Sequence, residues 1–217
     1  MLTDALQDIS NNNIRDIDPD AFDELSYAFN FDASYNQLTN MSQVPMKYQK
    51  GIKYLNLSYN QIVEIPKNSF PKLYELNNID FSHNNVSKIG RSVFASLFSI
   101  RHLNFSYNQL ERIESSTFGK IPTLLDVDLS HNRMETIRRG AFGNLVSIRT
   151  IYLDHNQAGC KTNIDVQESL ITKKLHLCAL KIFSKLSVLL LIQQLTEIPR
   201  PPISLNHLHL SHNNLSR

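Results

Sequence analysis

The chain has 217 residues, 41% of them hydrophobic, and its 22 Lys and Arg against 20 Asp and Glu leave a net charge of +2. That is enough for one elongated domain, and low mixed charge without a basic run argues against nucleic acid as a partner. The sequence holds no Trp, no CxxC, no P-loop, no GxSxG and no His–Glu metal spacing, so no cofactor is expected and an enzyme is disfavoured.

The first residues, MLTDALQD, lack the basic start and apolar core of a secretory signal. The chain then enters a worn repeat in which Ile9 alone keeps its strand position. From there Asn12, Asn36, Asn60, Asn84, Asn108, Asn132 and Asn156 follow one another at intervals of 24 residues. A fixed period of this size means stacked coils rather than a globule. Ahead of each Asn the apolar residues alternate with polar ones, as at Leu55 and Leu57, Ile79 and Phe81, Leu103 and Phe105, Val127 and Leu129, and Ile151 and Leu153. Alternation predicts a short strand with one buried face, and one strand per coil predicts a parallel sheet. The Asn amide both donates and accepts, which suits a buried turn.

Further columns follow each Asn. Two residues on stand Ile14, Leu38, Ile62, Val86, Leu110 and Met134, and three beyond those stand Ile17, Met41, Ile65, Ile89, Ile113 and Ile137. The back is closed by Phe22, Met46, Phe70, Phe94, Phe118 and Phe142, expected to stack as a spine, and then by Leu25, Leu73, Leu97, Ile121 and Leu145, with Gln49 the exception. Only neighbouring coils can cover these side chains, so stability is a nearest-neighbour sum.

The outward strand positions form columns as well: Asn30, Tyr54, Asn78, His102, Asp126, Thr150; then Asp32, Asn56, Asp80, Asn104, Asp128, Tyr152; and, just before each Asn, Tyr35, Tyr59, His83, Tyr107, His131, His155. A strip of Tyr, His, Asp and Asn suits protein recognition. The ring column has a second reading, as a shield for the turn. Binding is expected to centre on Asp126, Asp128, His131, Tyr152, Asp154 and His155, which lie on adjacent strands with no glycosylation sequon among them. Sequons begin at Asn40, Asn56, Asn85, Asn104 and Asn214. Asn40 and Asn85 should lie off the sheet, whereas Asn56 and Asn104 should face its open side.

The rhythm breaks after residue 157. Residues 158–194 show no repeat columns and contain both cysteines, Cys160 and Cys178. An inserted loop, a membrane segment and translated non-coding sequence compete. The apolar run 186–192 falls far short of the roughly 20 residues of a spanning helix. Deleting 158–194 would set Asn156, Leu195 and Ile198 on the Asn, +2 and +5 columns, which favours non-coding sequence. Residues 195–217 resume the repeat. Their His207, His209 and His212 have no acidic or thiolate partner at defined spacing, so no metal site is expected.

Phrases such as LSYNQI, LSHNRM and LSHNNLSR fit L-x-x-L-x-L-x-x-N-x-L and resemble the extracellular leucine-rich repeat family. Within it they are similar to insect chaoptin-like adhesion proteins and, more distantly, to Toll-like receptor ectodomains. The resemblance implies an α/β solenoid: a curved right-handed coil with a parallel sheet on the concave face and an irregular or short-helical convex side. It also implies a fragment of a cell-surface or extracellular protein, with a protein ligand or homophilic partner and a role in adhesion. The alternative it implies is the ectodomain of a signalling receptor. Members usually carry cysteine-clustered caps, so this chain is read as an internal piece, with membrane contact only through parts outside it.

Overall fold

The structure, a computed structural model, describes residues 5–22, 28–46, 51–115, 117–137, 141–142, 144–156 and 175–176. Its spine is one parallel sheet of eight strands. They are β1 (Ala5–Asp8), β2 (Ala28–Asp32), β3 (Tyr54–Asn56), β5 (Asn78–Asp80), β7 (His102–Asn104), β9 (Asp126–Asp128), β11 (Thr150–Tyr152) and β12 (Leu175–His176). From β2 to β11 the register is set by the sequence period, so Tyr54, Asn78, His102, Asp126 and Thr150 stand side by side. β12 falls between residues 158 and 194 and continues that register, with Leu175 beside Ile151 and His176 beside Tyr152. The rest of 158–217 lies outside the described residues, including Cys160, Cys178, Asn214 and the three C-terminal histidines.

After the turns at Asn60, Asn84, Asn108 and Asn132 the chain runs through a second short strand. These are β4 (Glu64–Ile65), β6 (Lys88–Ile89), β8 (Arg112–Ile113) and β10 (Thr136–Ile137), paired as β4 with β6 and β8 with β10. Among the described residues the one helix is a 3₁₀ turn at Met41–Gln43, capped by the Asn40 and Gln43 side chains. The α/β class therefore rests on the parallel crossover topology, since the far side of each coil is nearly all irregular.

The inward strand residues are buried without exception from Leu55 to Leu153. The Phe spine is present: Phe70, Phe94, Phe118 and Phe142 stack at centroid distances of 5.9, 6.2 and 5.5 Å. Phe81 and Phe105 make a second stack at 5.3 Å within the strand columns.

The repeated Asn is where one coil grips another. The Asn108 amide donates to the carbonyls of Phe81 at 2.8 Å, Phe105 at 3.2 Å and Ser106 at 3.1 Å. Its Oδ1 accepts the Val86 N–H at 2.8 Å. Phe81 and Val86 belong to the preceding coil, so each Asn closes its own turn and fastens the coil before it. The same fan recurs at Asn36, Asn60, Asn84 and Asn132, all buried. A buried polar side chain is tolerated when its capacity is filled in this way.

Candidate functional site

The outward residues of the strands line one open hollow of about 650 Å³ along the sheet. Its floor runs from Asn30 and Asp32 through Tyr54, Asn78, Asp80 and His102 to Asp126, Asp128 and Tyr152. Three of the six residues expected at the centre of binding, Asp126, Asp128 and Tyr152, line it. The hollow is longer than that patch and runs from Leu6 of β1 to Tyr152 of β11.

One floor column serves the backbone as well. Asp32, Asn56, Asp80, Asn104 and Asp128 each accept the N–H of the serine two residues on, at 2.7 to 3.1 Å. Asp and Asn alternate, and this matters because like charges would otherwise stand one strand spacing, about 5 Å, apart. The Asn56 amide donates to Asp32 at 3.0 Å, and that of Asn104 to Asp80 at 3.2 Å. These two sequon asparagines, which do face the open side, thus have their amide nitrogens engaged. Asn40 and Asn85 are exposed in the turns.

β11 departs from the pattern. Tyr152 stands where Asp or Asn is expected, and Asp154 stands where earlier coils have a buried serine. Burial, together with Asp126, Asp128 and Asp154 nearby, pushes the Tyr152 phenol above its ordinary range. Asp126 meets His102 of the previous coil at 3.0 Å.

The other expected residues, His131 and His155, belong to a ladder at the strands' C-terminal edge. Tyr35, Tyr59, His83, Tyr107, His131 and His155 stack at successive centroid distances of 4.1, 4.1, 4.2, 4.0 and 4.2 Å, with interplanar angles of 15° or less. Each has a left-handed backbone, with φ between 52° and 55°. That region is costly for bulky residues. Here it turns the peptide N–H of the first five toward a carbonyl of the next coil, such as Tyr59 N–H to Ser82 at 3.0 Å, and it brings the rings into line. Burial, and next the His155 ring, holds the His131 imidazole below its ordinary pKa, against the upward pull of Asp128 and Asp154. Among the described residues, no group of three or more His, Cys, Asp or Glu is placed to hold a metal ion.

One surface feature escaped the sequence reading. Tyr74 and Phe98, 52% and 62% exposed, stack at 5.9 Å away from the hollow. The signal was available: Pro122 and exposed Val146 continue their column at 24-residue steps.

The sequence matches the model of the family described as Leucine rich repeat over residues 50–110 and 99–157. No curated protein matches it. A solved crystal structure of a TLR13–ssRNA13 complex has a similar fold, with a TM-score of 0.66 and 22% identity. That match covers 75% of this chain and 23% of the other, so the chain spans less than a quarter of that protein's length.

Proposed function

We propose, from the premise that this chain is a leucine-rich repeat protein, that it is a protein-binding segment of a cell-surface or extracellular protein. The observation that carries the reading is the hollow itself, a continuous row of Tyr, His, Asp and Asn side chains on a rigid sheet. The ordering entropy that opposes binding is small there, and such side chains serve protein contacts. The centre of contact is placed at Asp126, Asp128, His131, Tyr152, Asp154 and His155, where β11 departs from the repeat's own rule. Exposed sequons at Asn40 and Asn85 support an extracellular setting.

Adhesion, through a distinct protein ligand or a second copy, is the role that the chaoptin-like resemblance suggests. The second reading, a receptor ectodomain, is favoured by the fold shared with TLR13. That protein's structure is a complex with ssRNA. Transfer of an RNA ligand to this hollow is opposed by carboxylates on its floor and by the absence of Lys and Arg from the outward columns. We read residues 158–194 as absent from the working protein or at best poorly ordered; the pairing of β12 with β11 within them speaks for the competing reading of an inserted loop. Recovery of the tryptic peptide 162–173 at normal abundance from native material would overturn the reading of absence.

Alanine at Tyr152 and His155 tests the face. Both point outward, so folding should survive while partner binding weakens by about 1–2 kcal/mol. Unchanged binding by a correctly folded double variant means that the partner uses another side.

A further inference from the structure

The hollow's charge is set apart from that of the chain. Overall the protein carries +2, yet the outward columns from residue 30 to residue 155 contain no Lys and no Arg. Two of the floor carboxylates, Asp32 and Asp80, are quenched by an Asn amide of the next coil. At the β9–β11 end that device stops. Asp128 keeps the Ser130 N–H on one oxygen at 2.8 Å, but the position that should send it an amide is Tyr152. Asp154 adds a carboxylate where earlier coils have a neutral serine. Asp126 meets the His102 ring nitrogen at 3.0 Å.

We propose that this unpartnered sheet face docks a positively charged protein segment, with Arg or Lys side chains seated on Asp126, Asp128 and Asp154. The inference rests on the protein-binding reading above and adds the partner's chemistry. Carboxylates on adjacent strands attract a cation, and a guanidinium offers the planar donor fork that fits the two oxygens of a carboxylate. The Tyr152 phenol is raised first by burial and then by the charges of Asp126, Asp128 and Asp154. The ring ladder forms one rim. Its faces are hidden in the stack, so ring edges, Tyr hydroxyls and imidazole nitrogens are what it shows a partner.

The test uses the full chain and two synthetic ten-residue peptides, alternating Gly–Arg and Gly–Glu, with binding followed by fluorescence anisotropy. The arginine peptide should bind, with affinity falling as salt rises from about 0.05 to 0.3 M. The triple change Asp126→Asn, Asp128→Asn, Asp154→Asn should weaken it about tenfold or more. Changing two flank acids, Glu111→Gln and Glu135→Gln, should leave it unaltered. Far-UV circular dichroism confirms that each variant is folded. The proposal is overturned if the glutamate peptide or a single-stranded RNA binds better, or if the flank change costs as much as the triple change. If Tyr152→Ala weakens arginine-peptide binding but the three-aspartate variant does not, the basic-partner inference falls while the face remains a binding surface. If neither change matters, both fall.

Discussion

Replacing Asn108 with Ala should cost more than its small size suggests. The substitution removes an amide that touches three carbonyls and accepts one N–H. Those carbonyls keep other donors: Ser106 the His83 N–H at 3.0 Å, Phe105 the Asn132 amide at 2.8 Å and Phe81 the Asn84 amide at 3.1 Å. The buried Val86 N–H keeps none among the described residues. An orphaned buried donor costs about 1–3 kcal/mol, and the lost short bond to Phe81 adds about 0.5–1.5. Together they come to about 1.5–4.5 kcal/mol. Asn12 provides the control, because its amide reaches only the Ile9 and Ser10 carbonyls in an exposed turn. Asn12→Ala should stay within about 0.5 kcal/mol of the wild type. Urea unfolding followed by far-UV circular dichroism measures both, and amide hydrogen exchange at Val86 locates the damage. If Asn108→Ala costs no more than Asn12→Ala, or Val86 keeps its protection, the fan of hydrogen bonds is not what holds adjacent coils.

Phe118→Ala removes a ring stacked between Phe94 and Phe142 in the spine and should lower stability by about 3–5 kcal/mol in the same assay. His131 binds its proton less readily in the folded chain than in the unfolded one. Stability should therefore fall as pH drops from about 6.5, the unfolded value, through the lower folded one. His131→Tyr, which repeats the choice made at Tyr107, should flatten that fall between pH 7.5 and 5.5. Glycopeptide mapping of secreted protein should find glycans on Asn40 and Asn85, with Asn56 and Asn104 bare. Full occupancy of Asn56 and Asn104 would mean that their hydrogen bonds to Asp32 and Asp80 yield to the glycan.

A period of 24 residues made most of this fold legible, because residues one period apart are neighbours in space. Leu55 beside Ile79 and Phe94 beside Phe118 follow from counting alone. So did the strip of side chains facing the hollow. Backbone conformation inside the turn was not legible. Nothing in the letters states that Tyr59 or His131 takes a left-handed φ, and on that depends the coplanarity of the rings. The stacked rings lie near 4 Å apart, closer than the strand spacing of about 5 Å. The reach of each Asn into the preceding coil was hidden for a similar reason. The residue type announces a filled turn but not whose carbonyls fill it. Tyr74 and Phe98 also stand one period apart, but their column lies off the strands, where alternation gives no signal of which side chains face out.

The clasp between coils has a direction. Leu38 donates to Asn60, Ile62 to Asn84, Val86 to Asn108 and Leu110 to Asn132, in each case to an oxygen 22 residues later in the chain. A ribosome delivers the earlier partner first. During synthesis a coil whose own residues have all emerged still has an open amide at its turn, and the stretch that closes it is the next to leave the exit tunnel. The newest coil is thus always the unfinished one, and a pause in translation strands a single turn while every earlier coil is already fastened.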